Sequence, residues 1–441
     1  MTICEPVCES GQSLNENGGN EVTRLIINGG KPLRGEIAAN GAKNAALPIM
    51  AACILAPGKV KLNRIPDISD VRIMGEILRQ MGAEVCFDGK GSVVIDTTNL
   101  SETKAPYRLV KKLNASFDIT GALLGRHGDA SVPLPGGCVI GTRAIDMHLE
   151  GFKSLGCVIG QEPGGFVSVK ANKLSGGRYH FAKTSVGATK NVMMAAVLAK
   201  GKTILENVAR EPEVVDLADF LNACGANITG QGTTKLEIHG VKELHADFEY
   251  SIIPDRIETG TYLTAAAITG GDITVSGTNP EFLKTFLRKI GKAGQKVTTG
   301  NDFIRVEGMK PILPVGAIIT EPHPGFPTDL QPQTLTLLSL SNGTSYVREK
   351  IFDMRFNYIN ELRRMGANVE IEGGTAVVRG VSRLLSAPVD APDIRAGSAL
   401  VLAALAAEGV SEVSGLCYID RGYEKIEDRF ASVGADIRRV P

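Results

Sequence analysis

The sequence has no tryptophan, few histidines and no excess of charge of either sign. Among its 441 residues, six are His, and 48 Lys and Arg residues balance 48 Asp and Glu residues. Without a positive excess the chain lacks the basic footprint of a sequence-tolerant nucleic-acid binder, and no nucleic-acid partner is expected. Eight Cys in a chain this long do not form a disulfide framework, so the thiols are expected to be reduced. They form no CxxC pair, and with only six His no zinc site is expected.

Long hydrophobic runs are also missing. The most apolar helical stretch, residues 45–56, is too short to cross a bilayer and contains Pro48. No apolar h-region follows Met1, so no secretory signal is expected. These absences predict a cytoplasmic protein with no membrane partner. Residues 1–22 are rich in Asn, Gly, Glu and Ser and lack apolar periodicity, which predicts a disordered tail.

A Gly-Ala pair, or a weaker copy of it, recurs six times after an amphipathic helical pattern. The glycines are Gly82, Gly156, Gly225, Gly294, Gly366 and Gly434, separated by 74, 69, 69, 72 and 68 residues. A glycine at this place suits the left-handed position that closes a helix. A fixed period of this kind is the signature of a repeat architecture.

A second element recurs in step: a helix of small and apolar residues, a glycine turn and an alternating strand. Helices that are apolar all round are buried all round. Six such units exceed one ordinary core, which predicts an α/β fold of two lobes with three repeats each. We expect hinges near Gly41 and at residues 252–254, where the chain crosses twice. The first lobe is predicted to contain residues 23–43 and 254–441, and the second lobe residues 44–253.

The residues that lead the interior helices include unexpected cations. Asp255 and Ser116 suit helix N-caps. The helix dipole opposes positive charge at a helix start, yet cations stand there in four cases, at Lys43, Lys183, Arg256 and Arg395. If the interior helices are parallel and begin at one cleft, these cations form a pocket for phosphates and carboxylates.

The segment from Ser131 to Asp146 surrounds Cys138 with glycine and proline and includes Arg143. A glycine-rich loop that holds one thiol beside an arginine suits a reactive cysteine of lowered pKa. Mobile glycines also suit a lid that closes on a substrate. The alternative, that Cys138 is merely a small hydrophobic residue, stays open on the loop alone.

Eight ordered motifs match a known family. They are GAKNAALP (41–48), LPGGCVIGTRAID (134–146), TSVGAT (184–189), NVAREPEVVD (207–216), PDRIETGTY (254–262), HPGFPTDLQPQ (323–333), DIRAGSALVLA (393–403) and IDRGYEKIED (419–428). Together they resemble the UDP-N-acetylglucosamine enolpyruvyl transferase family, over nearly all of the chain after the tail. The resemblance implies two inside-out α/β barrels of three repeats each, which agrees with the repeat count.

The resemblance also implies a reaction. The enolpyruvyl group of phosphoenolpyruvate passes to a sugar 3-hydroxyl with loss of phosphate, by addition and then elimination, in the first committed step of peptidoglycan synthesis. Cys138 matches the family's loop cysteine, which protonates carbon 3 of phosphoenolpyruvate and also forms a covalent adduct. Asp329 matches the carboxylate that takes the proton of the acceptor. No metal or organic cofactor is implied.

The implied substrate contacts fall into five groups: phosphate, carboxylate, uridine, diphosphate and sugar. Lys43, Arg143 and Arg421 match the contacts to the phosphate of phosphoenolpyruvate, and Arg395 matches the contact to its carboxylate, with Asp393 orienting its neighbours. The nucleotide contacts are matched by a uridine segment (Arg143, Ala144, Ile145, Asp146, Met147) and a diphosphate segment (Lys183, Ser185, Val186, Gly187). Asn44 and Ile351 match sugar contacts.

Three positions depart from the family pattern: Asn114 where an Arg that faces the cleft is usual, Asp118 where a large apolar residue is usual, and Ala144 where a Pro is usual. Asn114 and Asp118 would share one face of a helix, so this face loses a positive charge and gains a negative one beside bound phosphates. Alternatively, Asp118 faces solvent or pairs with Lys111 or Lys112.

The departures put the acceptor in doubt more than the reaction type. The main alternative is a diverged enolpyruvyl transferase that acts on another uridine nucleotide, such as uridine monophosphate in nucleoside-antibiotic synthesis. A shikimate-phosphate enzyme fits the Cys138 loop less well. Among non-enzymes, a silent nucleotide-sugar binder would not need both Cys138 and Asp329, and the balanced charge disfavours a ring-shaped clamp on DNA.

Overall fold

The computed structural model describes residues 23–113, 117–134 and 145–441. The chain opens with two strands, β1 (Arg24–Gly29) and β2 (Arg34–Ala38). The elements that follow, up to residue 253, are α1 (Lys43–Ala52), β3 (Lys59–Asn63), α2 (Ser69–Gln80), β4 (Glu84–Phe87), β5 (Ser92–Asp96), α3 (Tyr107–Val110), α4 (Ile119–His127), β6 (Asp129–Pro133), α5 (Asp146–Ser154), β7 (Val158–Glu162), β8 (Phe166–Lys170), β9 (Arg178–His180), α6 (Val186–Ala196), β10 (Lys202–Glu206), α7 (Pro212–Ala223), β11 (Asn227–Thr229), β12 (Lys235–His239) and β13 (Phe248–Ser251).

The remaining elements follow residue 253. They are α8 (Arg256–Thr269), β14 (Asp272–Ser276), α9 (Lys284–Lys292), β15 (Lys296–Thr299), β16 (Phe303–Glu307), β17 (Ala317–Ile319), α10 (Gln331–Leu338), β18 (Thr344–Arg348), α11 (Ile359–Arg364), β19 (Asn368–Glu372), β20 (Thr375–Arg379), β21 (Pro388–Asp390), α12 (Ile394–Ala406), β22 (Gly409–Ser414), α13 (Leu416–Ile419), α14 (Ile426–Ala431) and β23 (Asp436–Val440).

The strands form small sheets that repeat one pattern. Three sheets have the strand orders β13-β3-β5-β4, β6-β8-β7 and β11-β12-β10-β9. Three others have the orders β15-β16-β14-β2, β17-β18-β20-β19 and β21-β22-β1-β23. Strand β1 pairs antiparallel with β22 and β23, and β2 pairs parallel with β14. The first two strands therefore complete sheets whose other strands come from residues 272–440.

Six helices of small and apolar residues lie inside these sheets. Helices α1, α4 and α6 contribute to one hydrophobic cluster, and α8, α10 and α12 contribute to a second. Every residue of α10 is buried. Where α4 approaches α6, a Cβ on Gly121 would lie 2.0 Å from the backbone oxygen of Asn191, so the approach requires glycine. The architecture is two inside-out α/β barrels of three repeats each, which confirms the predicted fold class.

The six repeat glycines close their helices as the sequence predicts. Their φ angles are all positive, between 84° and 102°, which is the left-handed region that a glycine adopts without steric cost. In all six repeats the backbone N–H of the residue after the glycine donates to a backbone oxygen in the last turns of the preceding helix; for example, Ala83 donates to Leu78 at 3.0 Å. Each glycine therefore joins a surface helix to the next strand.

The two expected hinge stretches lie side by side. Gly41 and Pro254 form an isolated antiparallel bridge. The Ala42 N–H donates to the Ile253 oxygen at 2.7 Å, and the Asp255 N–H donates to the Asn40 oxygen at 2.8 Å. The chain therefore passes twice through the same place. The residue boundaries of the two lobes stay a prediction.

Two further expectations concern cysteines and membranes. Cys53, Cys157, Cys224 and Cys417 carry free thiols. Across the described ranges, no helix combines the length and the apolarity needed to cross a bilayer.

Candidate active site

Asp70 is the point at which two cations of the site meet. Its Oδ2 lies 2.6 Å from the Lys43 Nζ, and its Oδ1 accepts a hydrogen bond from the Arg421 Nε at 2.8 Å. Lys43 begins α1, Asp70 stands in the first turn of α2, and Arg421 follows α13. Two predicted phosphate contacts that are distant in sequence are therefore joined by one carboxylate.

The position of Asp70 explains why it pairs with cations. It shares the apolar stripe of α2 with Met74 and Ile77, and its residue surface is 1% exposed. A carboxylate buried on such a stripe is costly unless it is paired. Burial lowers the pKa of Lys43; Asp70 raises it, while Arg395 and Arg421 lower it. Lys43 thus depends on Asp70 to keep its positive charge.

Asp329 lies between two arginines. Arg355 donates to its Oδ1 at 2.5 Å, and the Arg395 Nη2 lies 3.2 Å from its Oδ2. Arg355 also donates to the Thr328 backbone oxygen, which fixes the turn that carries Asp329. The carboxylate thus leads α10 as predicted, and the structure brings it together with Arg395.

The electrostatics of Asp329 favour its ionised form. Burial by itself raises the pKa of this carboxyl, but Arg395, Arg355 and Arg256 outweigh burial and hold the pKa well below its usual range. The side chain of Asp329 is 26% exposed, whereas that of Arg355 is 2% exposed. A substrate can therefore reach the Asp329 carboxylate, whereas Arg355 binds that carboxylate from the buried side.

Helix capping accounts for several residues at the helix starts. The carboxylate of Asp255 accepts from the backbone N–H groups of Ile257 and Glu258, which confirms the expected cap. Asp393 caps α12 in the same way and accepts from the Asn357 amide at 3.2 Å. This bond and the cap hold the start of the helix that carries Arg395.

Arg256 is neutralised within the protein. Its Nε lies 2.9 Å from the Oε1 of Glu213, and both side chains are less than a tenth exposed. Glu213 lies in the first turn of α7, and Arg256 begins α8. The cation at this helix start is therefore paired with a carboxylate of the protein itself, that of Glu213 on α7.

Glu349 links a predicted sugar contact to the Asp329 turn. Its Oε1 accepts from the Ile351 backbone N–H at 2.8 Å, and its Oε2 accepts from the Thr328 hydroxyl at 3.0 Å. Ile351 is 38% exposed. An exposed apolar side chain is thus held near the carboxylate that is predicted to act as base.

The diphosphate segment lies at the start of α6. Ser185 is the N-cap, and its hydroxyl accepts from the Ala188 N–H at 3.3 Å. Val186 and Gly187 are partly exposed, and Lys183 is exposed. The described part of the uridine segment, residues 145–147, leads into α5, which packs against α6. Asn44 is partly exposed between buried neighbours in the first turn of α1.

The expectation for Asp118 is corrected by the structure. Asp118 does not face solvent and does not pair with Lys111 or Lys112; its Oδ2 lies 3.0 Å from the Nζ of Lys190, and both side chains are less than a tenth exposed. Helix α4 begins at Ile119, so Asp118 precedes the helix. The negative charge gained at this position is therefore balanced by a cation of α6.

Several predicted site residues fall on parts of the chain that the structure does not describe. They are Asn114, Cys138, Arg143 and Ala144, together with Ser116. Their predicted roles stay predictions.

The sequence analysis missed Asp70, Arg355, Glu213 and Lys190. A signal for Asp70 exists, because an acidic residue on the apolar stripe of an amphipathic helix requires a buried partner. Lys190 carried a similar signal, since it is the charged residue of an interior helix whose other residues are uncharged. Arg355 lies in a loop, and no sequence pattern marks it.

Comparisons with known proteins show the family of this chain. A family model described as EPSP synthase (3-phosphoshikimate 1-carboxyvinyltransferase) matches residues 27–430. A UDP-N-acetylglucosamine 1-carboxyvinyltransferase from Geobacter metallireducens is 47% identical over 418 residues, which are 95% of this chain and 99% of that relative.

Solved structures show the same fold. The enolpyruvyl transferase NikO from Streptomyces tendae has a TM-score of 0.87 and 25% identity, over 95% of this chain and 100% of that one. An EPSP synthase from Acinetobacter baumannii has a TM-score of 0.74 and 16% identity, over 95% of this chain and 100% of that one, and shares the fold. Since the family model and the Geobacter relative each match nearly the whole chain, this chain belongs to the EPSP synthase family of enolpyruvyl transferases.

Proposed function

We propose that the chain transfers the enolpyruvyl group of phosphoenolpyruvate to the 3-hydroxyl of UDP-N-acetylglucosamine and releases phosphate. The observation that carries this proposal is the 47% identity to a UDP-N-acetylglucosamine 1-carboxyvinyltransferase over 95% of the chain. The proposed site of action is the cytoplasm, and the proposed role is the first committed step of peptidoglycan synthesis.

The cations around Asp70 and Asp329 support a phosphoenolpyruvate site. In the proposal, Lys43 and Arg421 bind the phosphate together with Arg143, and Arg395 binds the carboxylate. Arginine suits this task because its planar fork makes two parallel hydrogen bonds to such groups. Asp70 holds Lys43 and Arg421 in place before the substrate binds, so their reorganisation on binding is small.

Two residues carry the proton transfers in the proposed reaction. In the addition, the Cys138 thiol protonates carbon 3, which makes carbon 2 electrophilic, and Asp329 accepts the proton of the attacking 3-hydroxyl. In the elimination, the bond from carbon 2 to the phosphate oxygen breaks, phosphate leaves with the electron pair, and the Cys138 thiolate takes a proton back from carbon 3. Asp329 is a weak base while Arg395 and Arg355 face it alone. The carboxylate of phosphoenolpyruvate at Arg395 adds a negative charge nearby, which raises the pKa of Asp329 toward that of a working base.

The start of α6 supports the nucleotide part of the proposal. Lys183 together with the backbone of Ser185, Val186 and Gly187 binds the diphosphate, because the first N–H groups of a helix lack intrahelical partners. The uridine contacts are assigned to residues 143–147, and the sugar contacts to Asn44 and Ile351. We further propose that residues 23–43 and 254–441 form one lobe and that residues 44–253 form the other.

Phosphate release tests the proposal. Purified protein is incubated with phosphoenolpyruvate and either UDP-N-acetylglucosamine, UDP-glucose or uridine monophosphate, and phosphate is measured over time. We expect release with UDP-N-acetylglucosamine, and a loss of about a hundredfold or more in Asp329→Asn because general-base catalysis contributes this much. Asp353→Asn is a matched control in an exposed loop. Release with uridine monophosphate alone would favour the diverged nucleotide enzyme, and no release with any acceptor would favour a silent binder.

A further inference from the structure

His148 lies against the start of the helix that the proposed function assigns to the diphosphate. It stands in the first turn of α5, and its ring meets Phe117 edge to face at 5.2 Å. A Cβ built on Gly187 would lie 3.3 Å from both the Cε1 and the Nε2 of His148. This edge of the imidazole therefore faces the backbone of the diphosphate segment.

Asn191 fixes the other edge of the ring. Its Oδ1 accepts from the Gly121 backbone N–H at 2.6 Å, which assigns the oxygen of the amide. Its Nδ2 then donates to the Phe117 backbone oxygen at 2.8 Å and lies 3.0 Å from the Nδ1 of His148. An amide NH₂ can only donate, so the Nδ1 of His148 must accept and carries no proton.

The neutral imidazole then has its proton on Nε2. Among residues 23–113, 117–134 and 145–441, Nε2 has no hydrogen-bond partner. Gly187 and Asn191 are four residues apart and lie on one face of α6. Asn191 therefore contacts the Nδ1 edge of the His148 ring, and the diphosphate segment lies beside its Nε2 edge.

We propose that Asn191 is a positioning residue that holds His148 as its Nε2–H tautomer, so that the imidazole donates a hydrogen bond to a phosphate oxygen of the acceptor nucleotide. This inference rests on the proposed function, because it deepens the assignment of the α6 start to the diphosphate. His148 adds a directed side-chain donor to the backbone N–H groups there.

The charged groups around the ring preserve its neutral form. Burial lowers the pKa of His148 to about 4; Asp118 and Asp146 raise it and Lys190 lowers it. Asp118 and Lys190 neutralise each other at 3.0 Å, and burial outweighs the remaining effect of Asp146, so the imidazole stays neutral. The imidazole therefore keeps the same proton on Nε2 across the neutral pH range. Between pH 6 and pH 8, the affinity for the acceptor should not change through titration of His148.

Nitrogen NMR of protein labelled at histidine reads the tautomer directly. At pH 7 the wild-type His148 should show a protonated Nε2 and an unprotonated Nδ1, and the acceptor should shift the Nε2 resonance. Asn191→Asp should reverse the tautomer, because a carboxylate accepts from Nδ1 and cannot donate to it. The exposed Asn99→Asp is the control. A wild-type ring protonated at Nδ1 would overturn the inference.

Kinetics test the consequence. His148→Phe should raise the KM for the acceptor by about tenfold, the equivalent of one lost hydrogen bond, while the KM for phosphoenolpyruvate stays unchanged. His148→Gln keeps a donor at the Nε2 position and should stay within about threefold of wild type. His239→Phe, at an exposed strand position, is the control for the phenylalanine.

The outcomes separate the inference from the function on which it rests. An active wild type whose acceptor KM is the same in His148→Phe would overturn the inference and leave the proposed function standing. A wild type that releases no phosphate with any uridine nucleotide would overturn both. A reversed tautomer in Asn191→Asp together with a raised acceptor KM supports the inference.

Discussion

Asp70 accepts a hydrogen bond from Arg421 at 2.8 Å although the two residues are 351 positions apart in the sequence. The helix of Asp70 packs in the hydrophobic core whose residues are drawn from 42–252. Arg421 closely follows Ile419, which belongs to the second hydrophobic core. The same carboxylate contacts Lys43 at 2.6 Å. The buried Asp70 carboxylate therefore links the two cores. It also holds Lys43 and Arg421, the two cations that are proposed to bind phosphate.

Asp70→Asn should change the pH dependence of phosphoenolpyruvate use. Asp70 raises the pKa of Lys43 against burial and against the neighbouring arginines, so neutralising the carboxylate lowers that pKa further. A phosphate-binding lysine must be protonated, and activity is lost as the pH rises through its pKa. The alkaline limb of kcat/KM for phosphoenolpyruvate should therefore move to lower pH, by about one unit.

Asp67→Asn provides the control for this experiment. Asp67 pairs with Arg72 on the surface, where the two side chains are 46% and 42% exposed, and exposed pairs of this kind contribute little. The pH dependence of kcat/KM for phosphoenolpyruvate in Asp67→Asn should match that of wild type. Superimposable alkaline limbs for Asp70→Asn and wild type would show that Asp70 does not maintain the charge of Lys43.

Much of the fold was predictable because burial leaves a periodic trace. The glycines at each helix end and the apolar interior helices recur at a fixed period, and these features define six repeats. The charged pairs of the site left a weaker trace. Arg421, one partner of Asp70, lies 351 residues away in the sequence, and Lys190, the partner of Asp118, lies 72 residues away on α6. A single sequence does not say which cation reaches which carboxylate.

Arg355→Gln should raise the pKa of Asp329 and make it a stronger base. The variant also loses the hydrogen bonds by which Arg355 holds the Asp329 turn. Arg355 is one of three arginines that hold the pKa of Asp329 low, so its removal raises that pKa. A general base must be ionised, and activity falls as the pH drops through its pKa. The acid limb of kcat should therefore move to higher pH, by about one unit, as measured in a pH–rate profile. Arg348→Gln, an exposed strand position, should leave the limb in place, and an unmoved limb in Arg355→Gln would contradict this account.

Removing one partner of the Asp118–Lys190 pair should destabilise the protein strongly, whereas replacing both partners should change the free energy of unfolding little. Removing one partner of a buried pair leaves an uncompensated charge, so Asp118→Ala and Lys190→Met should each lower the free energy of unfolding by about 3–5 kcal/mol. The double variant should lie much closer to wild type. Urea unfolding of the four proteins measures the coupling, with Lys61→Met, at a partly exposed strand position, as a control.

The same variants test the acceptor hypothesis. Because the pair carries no net charge, the double variant should keep the wild-type ratio of kcat/KM for UDP-N-acetylglucosamine and uridine monophosphate. Single variants as stable as wild type would show that the pair is solvated, and a changed ratio in the double variant would show that it selects the acceptor.

Cys138 should react first with an epoxide phosphonate that mimics phosphoenolpyruvate. Burial raises the pKa of Cys157 to about 11 and that of Cys224 to about 12, and it raises the pKa of Cys53 well above its usual value. Such thiols are poor nucleophiles. Peptide mapping by mass spectrometry should find the label on Cys138, added faster when the acceptor is present. Preferential labelling of the exposed Cys417 would contradict the assignment.

The central claim is enolpyruvyl transfer to the sugar of UDP-N-acetylglucosamine, and carbon NMR with phosphoenolpyruvate labelled at carbon 2 tests it most directly. The account predicts a new enol-ether carbon resonance coupled to the sugar C3 proton, formed in equal amount to the phosphate released and absent with Asp329→Asn. A label that stays in phosphoenolpyruvate or appears as free pyruvate, or one that transfers to uridine monophosphate but not to UDP-N-acetylglucosamine, would contradict it.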